Sequence, residues 1–398
     1  MKRINILVVA PWLKLVFNIY PSSKSELCLG AILMIRRFLE ALAMEGVRTF
    51  VVSDYVEGYP FLEKFSEHGE VYRLPKRGPF LGKILRRTID CFILSKRLIK
   101  KKNIDVVYFL TNWNVEGMYY TSLLYHCFGL PVVMLAEVDL NLFKRERHDV
   151  WLVQKCLKKA QALHVLTQGQ RDSLVENGLA ADKIFVISNT VSEKEFSPED
   201  DLGRFRGKYG IGREEILITY VRGRVHWAEK LLDLVVPDML KKYENVRVCL
   251  MGFPEFKNRA SNPRIIITDY LTGDMLKDAM ATTDIGLVLK RQDLPDASTS
   301  TRMAEMALAG QAIVMNQGKA LTYIHGEDVI LAGDYKSDKE FKANLISALS
   351  LLIENAELRK KLANNCRKKV IETFNYASSA AKMIEMFTYA LKNEQLKV

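Results

Sequence analysis

Short apolar runs alternate with stretches of helical periodicity along almost the whole chain. Residues 4–10, 49–53, 71–74, 105–110, 132–135, 162–166 and 184–187 each read as a strand. Between them, 27–44, 80–101, 116–128, 146–159 and 168–176 place apolar residues at the three-to-four spacing of a helix. Near-continuous apolar strands separated by helices predict a parallel sheet covered on both faces. A polar stretch at 189–209 then reads as a linker. The pattern restarts with strands at 216–221, 247–251, 264–268, 284–289 and 312–315, and helices near 228–242, 274–281 and 301–309. After 329–331 the chain turns helical, at 348–354, 356–374 and 377–393. The expectation is an α/β protein of two Rossmann-like, doubly wound domains, 1–195 and 205–375, with 376–398 a terminal helix crossing back to the first. Two such sheets in tandem put a cleft between their carboxyl ends, where such sheets bind ligands.

Length and composition fit this reading. A chain of 398 residues exceeds one ordinary core, and 48% hydrophobic residues mark a globular protein. The six Cys are scattered without a Cys-x-x-Cys pair and read as reduced core thiols of a cytoplasmic protein. The six His form no cluster, so no metal site and no cofactor is expected. The apolar start resembles a signal peptide, but Pro11 and Lys14 cut it short, and 4–10 is read as a buried strand. No apolar run has the length of a membrane span.

The net charge of +11 favours anionic partners: nucleic acid, a membrane surface or a phosphorylated substrate. Much of it lies in one block: Lys76, Arg77, Lys83, Arg86, Arg87, Lys96, Arg97, Lys100, Lys101 and Lys102, with Asp90 the one acid among them. Phe and aliphatic residues are interleaved. The block reads either as a solvated amphipathic helix packed on a sheet or as a face that docks on anionic headgroups. Nucleic acid is not expected, because no nucleic-acid motif is present and the cations mix with aliphatic residues instead of stacking aromatics.

The most informative segment is 296–310. Ser298, Thr299, Ser300 and Thr301 open a helix, Glu305 sits one turn further in, and Gly310 closes it. Four hydroxyl residues at a helix start read either as an ordinary cap on a buried helix or as a phosphate site with Glu305 in reach of a ribose.

Other residues stand in a telling order. Val221-Arg222-Gly223-Arg224 ends a strand, Lys230 follows, and then come Met251-Gly252, Tyr270, Asp284 and the Glu305 helix. In the first half Gly30 precedes Gly46, and Ile184-Phe185-Val186-Ile187-Ser188-Asn189 leads into the linker. From about residue 4 to 376 this order and spacing resemble the retaining glycosyltransferases of the GT-B fold, in particular glycosyltransferase family 4.

The resemblance implies transfer of a sugar from a nucleotide-diphosphate-sugar donor, without a metal, to a glycan or a lipid-linked acceptor. It implies that Arg224 and Lys230 hold the diphosphate and support the leaving group. Arg222 is a further candidate, since an alternating strand points it the same way as Arg224. Glu305 would bind the ribose, and Gly30, Gly252, Tyr270, Ser298, Thr299, Ser300 and Thr301 would complete the donor site. The chain departs from the family at four places. Ala297 stands where the first Glu of the Glu-x7-Glu motif belongs, with Asp296 beside it, and Ser298-Thr299-Ser300 stands for the Gly-rich turn that follows. Leu29 stands for the first Gly of the N-terminal loop, and Glu137 stands near a customary His. Glu137 reads equally as a base, a ligand for sugar hydroxyls or a strand-end cap. His226 and Trp227 are placed at the expected cleft, and His164, inside an apolar strand, reads as a satisfied core residue. A second class stays open, a GT-B-shaped binding protein that has lost catalysis, which Ala297 and Leu29 would fit.

Overall fold

The computed structural model describes residues 4–10, 29–76, 83–110, 125–136, 147–221, 225–259, 262–289, 301–316, 327–333 and 335–395. They divide into two compact units, one up to Thr190 together with the chain from Tyr376 onward, the other from Val191 to Asn375.

The first unit is built on β1 (Asn5–Ala10), β2 (Arg48–Ser53), β3 (Leu62–Ser66), β4 (Gly69–Arg73), β5 (Val106–Leu110), β6 (Val132–Leu135), β7 (Ala162–Val165) and β8 (Ile184–Val186). Their order across the sheet is β3-β4-β2-β1-β5-β6-β7-β8. All pairings are parallel except β3 with β4. The period of two in β1 sends Ile6 and Val8 to one face and Leu7 and Val9 to the other. Ile6 and Val8 pack with Phe38 and Leu42 of the helix Leu29–Met44, and with Met383 and Phe387 of the terminal helix Tyr376–Gln395. Leu7 and Val9 share the opposite core with Cys91 and Leu98 of the helix Lys83–Lys102 and Leu157 of the helix Arg147–Lys159.

β3 has no counterpart in the sequence reading. Its run Leu-Glu-Lys-Phe-Ser is polar, because it is an antiparallel edge and not a strand buried on both faces. Glu63 is buried there only because Arg73 of β4 pairs with it. Among the described cysteines, Cys91, Cys156, Cys249 and Cys366 are core thiols as read, but Cys127 is exposed.

In the second unit β9 (Ile216–Val221), β10 (Val246–Met251), β11 (Ile265–Ile267), β12 (Ile285–Val288), β13 (Ala312–Met315) and β14 (Ile330–Leu331) form one wholly parallel sheet. The order is β11-β10-β9-β12-β13-β14, the doubly wound arrangement that reverses direction between β9 and β12. Residues 191–209, expected as linker, belong to this unit. The helix Arg204–Tyr209 lies against the helix Gly273–Ala281, and the buried Asp278 carboxylate accepts Leu202 N–H and Phe205 N–H, both at 2.5 Å. The helix after β9 is longer than its apolar pattern and is interrupted. Val225–Lys230 is α-helical, Leu231–Val235 is a π-turn, and Val236–Lys242 resumes the α-helix. Pro237 explains the interruption, since it has no N–H to donate and its ring crowds the preceding turn. The helix Asp338–Glu354 starts well before residue 348, where Ser337 caps it by accepting Glu340 N–H at 3.2 Å.

His164 lies in β7 with no exposure. Its Nε2 is 2.7 Å from Ile187 O, a carbonyl that can only accept, so Nε2 carries the hydrogen. Nδ1 therefore accepts the Tyr108 hydroxyl, at 2.6 Å. Burial pushes the imidazole pKa down from 6.5 to about 4. Above pH 6.5 the ring is neutral in both folded and unfolded chains, and its contribution to stability is complete. As pH falls from 6.5 to about 4, the unfolded chain takes up a proton that the folded chain refuses. Stability should fall across that window by about 3 kcal/mol. Urea midpoints at pH 7 and pH 4.5 should show a smaller drop for His164→Gln than for the wild type; equal drops would assign the acid sensitivity to other groups.

Candidate functional site

In a doubly wound sheet the ligand crevice lies at the carboxyl ends of the strands where the order reverses. Here those strands are β9 and β12, paired through Ile285↔Ile218, Gly286↔Thr219 and Leu287↔Tyr220. Each runs into a segment that the sequence marks for chemistry. β9 leads to Arg222 and Arg224, which lie outside the described residues, and then to the helix carrying Lys230. β12 leads to Ser298, Thr299 and Ser300, also outside the described residues, and then to the helix Thr301–Leu308 carrying Glu305. Glu137 lies outside the described residues as well. Gly30 sits in the first turn of the helix Leu29–Met44 of the first unit.

Lys230 is the last residue before the π-turn. Its ammonium donates to Tyr335 Oη at 3.0 Å and to Asp338 Oδ1, and lies 4.8 Å from the centre of the Tyr335 ring. The Asp338 hydrogen bond, followed by that of Tyr335, holds the Lys230 pKa above the ordinary lysine value. Tyr335 is itself wedged in an aromatic cluster, 5.4 Å from Trp227 and 5.8 Å from Phe341 between ring centres. Trp227 is buried, and among the described residues its indole N–H has no hydrogen-bond acceptor. His226 is half-buried and leans on the Trp227 ring at 4.8 Å. Sequence reading passed over Tyr335 and Asp338. The available signal was Ser337 followed three residues later by Glu340, the mark of a helix start.

Glu305 is only 3% exposed, on the second turn of its helix, and pairs with Arg302 Nη1 at 3.2 Å. The helix lies close to the sheet because β12 has Gly286 beneath it. A Cβ on Gly286 would lie 2.4 Å from Gln311 Oε1 and 2.9 Å from Met306 Sδ. Gly252 follows β10 at φ +84°, the left-handed region that suits glycine. Its N–H donates to Thr268 Oγ1 at 3.1 Å, which ties the end of β10 to that of β11. Just beyond β11, Tyr270 is half exposed. Asp284, part of the motif order, serves the fold. Its carboxylate accepts Leu217 N–H at 2.9 Å and Arg206 Nη2 at 3.0 Å.

The basic block of the first unit is divided by its contacts. Lys76 pairs with Glu57, Arg87 with Asp54 and Lys102 with Glu70. Among the described side chains of the helix Lys83–Lys102, those of Arg87–Lys102, the exposed ones are Ile89, Ile93, Lys96, Arg97, Lys100 and Lys101, spaced as one stripe. Ile89 and Ile93 are 47% and 45% exposed, unusual for side chains of their size. Among the described residues no helix is long and apolar enough to cross a membrane.

Residues 30–195 match the family described as Glycosyltransferase Family 4, and residues 231–385 the one described as Glycosyl transferase-like. No curated protein matches the chain. Among solved structures it is similar to a sucrose-phosphate synthase from Thermosynechococcus elongatus, at 14% identity and a TM-score of 0.75 over 98% of this chain and 100% of that one. It is similar to HepE from Anabaena in complex with UDP and glucose, at 15% identity and a TM-score of 0.68 over 97% and 100%. A glycosyltransferase from Rickettsia africae ESF-5 superposes at 17% identity and a TM-score of 0.70 over 99% and 100%. These likenesses establish the GT-B fold.

The close approach at Gly286 is testable. Gly286→Ala should lower stability by about 1–3 kcal/mol, because the added methyl group must displace Gln311, Met306 or the helix that carries Glu305. A denaturant midpoint equal to that of the wild type would show that the helix moves aside without cost.

Proposed function

We infer that this chain, which belongs to the glycosyltransferases and carries a family 4 amino-terminal domain, moves a sugar from a UDP-sugar to a glycan or lipid-linked acceptor with retention at the anomeric carbon. One observation carries the reading. Lys230 and Glu305 stand on the two helices that follow β9 and β12, the paired strands at which the sheet order reverses. The uridine nucleotide and the glucose are proposed by analogy with HepE, which has been seen with UDP-glucose.

Transfer breaks the bond between the anomeric carbon and a diphosphate oxygen, and the electron pair leaves with the diphosphate. The acceptor hydroxyl oxygen makes the new bond on the face that the diphosphate leaves. Its proton passes to the departing phosphate oxygen or to a carboxylate, for which Glu137 is the candidate. The energetic difficulty is negative charge building on the leaving diphosphate. Fixed cations at that point stabilise the transition state more than the ground state. Arg224 and Lys230 take this role in place of a metal. In this reading the buried Glu305 accepts the ribose hydroxyls, and Ser298, Thr299, Ser300 and Thr301 are the candidates for N–H and O–H donors to phosphate. Gly252 and Tyr270 border the nucleotide from the neighbouring strand ends, and Arg222 completes this unit's share of the donor site.

Arg224→Ala and Lys230→Ala should each lower kcat/KM on the order of a hundredfold, while a chelator leaves the wild-type rate unchanged. Glu305→Gln should weaken UDP binding about tenfold in calorimetry, the loss expected for a charged hydrogen bond. Wild-type rates and affinities in all three variants would remove the assignment. UDP-glucose hydrolysis separates the enzyme from a binding protein of the same fold: no turnover of any UDP-sugar, with UDP still bound, would favour the latter.

The stripe on the helix Lys83–Lys102 supports a second element of the reading, docking on the anionic cytoplasmic face of a membrane. Exposed cations meet headgroups there while Ile89 and Ile93 enter the apolar boundary. Each cation near the surface contributes about 1 kcal/mol, screened by salt. Arg87 and Lys102 are excluded from this count, because acids of the same unit already neutralise them. In sedimentation with anionic vesicles at low salt, the wild type should pellet. A variant with Lys96, Arg97, Lys100 and Lys101 changed to Glu should stay in the supernatant with its UDP-glucose hydrolysis intact. A wild type that stays in the supernatant makes a soluble acceptor the better assignment.

A further inference from the structure

We propose that Asp338 and Tyr335 are positioning residues that hold the Lys230 ammonium in place for the donor diphosphate before the donor arrives. The inference rests on the reading of Lys230 as a diphosphate ligand. Neither residue was visible as part of a site in the sequence, since they stand 108 and 105 positions from Lys230.

The three side chains close a ring. Lys230 Nζ donates to Tyr335 Oη at 3.0 Å and also to Asp338 Oδ1, and Tyr335 Oη donates its own hydrogen to the same Asp338 Oδ1 at 2.7 Å. A tyrosine hydroxyl has one hydrogen, and here it is committed to the carboxylate. Its lone pair is therefore turned to the lysine. An ammonium has three N–H donors, and two of them are spent in the ring. With two directions fixed, the third is fixed as well. The ammonium lies 4.8 Å from the centre of the Tyr335 ring, on the side of its hydroxyl.

The support under this ring is rigid. Tyr335 packs edge-on against Trp227 and Phe341. Trp227 lies on the same helical segment as Lys230, so one aromatic cluster holds both the lysine's backbone and the platform for its head group. Asp338 opens the helix Asp338–Glu354, and the cap from Ser337 fixes that start. The π-turn begins at the residue after Lys230 and shifts the angular register of everything beyond it, so the lysine and the buried face of the later helix are set independently.

A lysine on a long flexible stem would otherwise be immobilised only as the donor binds or reacts, and part of the interaction would be lost to ordering. A prearranged ammonium avoids this. Its loss is expected in kcat as well as in KM, because the charge matters most when the diphosphate departs.

The test is a set of double-mutant cycles with UDP-glucose as donor, reading kcat and KM separately. Asp338→Ala and Tyr335→Phe should each lower kcat/KM about tenfold in the wild type, mainly through kcat, and less than twofold in a Lys230→Ala background. Asp338→Glu should recover part of the loss. Equal losses in both backgrounds would assign the two residues a role apart from Lys230 and overturn the inference, as would a lower KM in Asp338→Ala, the mark of a carboxylate that competes with the donor. Asp338 is half exposed and Tyr335→Phe keeps the ring, so folding survives in both. Lys230→Ala alone distinguishes the two levels of the argument: wild-type turnover there removes the reading of Lys230 itself, whereas a deep loss there with unchanged Asp338→Ala and Tyr335→Phe removes only the positioning role.

Discussion

The pairing of β9 with β12 is the constraint on which the site depends. It is the place in the second sheet where a strand lies beside a neighbour far along the chain with the winding reversed. Its register is pinned at the entry end. Asp284 accepts Leu217 N–H and an arginine from the helix Arg204–Tyr209, and Thr219 and Thr283 hydroxyls meet at 2.9 Å. A one-residue slip would break both and turn apolar side chains to the wrong face. With that register held, the carboxyl ends of β9 and β12 lie side by side, and the Lys230 and Glu305 helices follow those strands in the chain.

Charge is placed sparingly around this frame, and the acids that hold it are partnered. The buried Asp278 caps a helix, the half-buried Asp284 holds a strand entry, and the buried Glu63 exists in its edge strand because Arg73 reaches it. An unpaired buried carboxylate would be costly, so these pairs are conditions of the fold and not a surplus of stability. Glu305 is as deeply buried, at 3% exposure, and pairs with Arg302, which is more than a third exposed on the same helix. Lys230 shows the converse, a cation held by a ring of hydrogen bonds but still a quarter exposed.

The terminal helix Tyr376–Gln395 belongs to the first unit, where Met383 and Phe387 fill the face of the sheet beside the helix Leu29–Met44. Tyr376 Oη reaches Glu40 at 3.1 Å and Tyr389 Oη reaches Asp182 at 2.8 Å. That face would be open without the last residues of the chain. Its completion from the far end of the sequence explains why residues 377–393 carry so regular an apolar pattern.

The sequence alone determined the alternation of elements and hence the fold class. Strands of a parallel sheet are buried on both faces and appear as continuous apolar runs, which is why β9, β6 and β13 could be read to the residue. It failed at β3, a half-exposed edge with a polar run, and at the first turns of the helix Asp338–Glu354, where a solvated face hides the periodicity. Motif order put Lys230 and Glu305 on helices that follow strand ends, and both stand there. Their environment was not legible. The hold of Asp338 and Tyr335 on Lys230, and the approach of the Glu305 helix that Gly286 allows, join residues distant along the chain. The basic block gives the same lesson. Composition counted ten cations, but only the tertiary structure brought Glu57, Asp54 and Glu70 to three of them and left Lys96, Arg97, Lys100 and Lys101 in solvent beside two exposed isoleucines. Periodicity is a local property that a chain carries in one dimension, whereas the pairing of charges depends on contacts that exist only once the chain has folded.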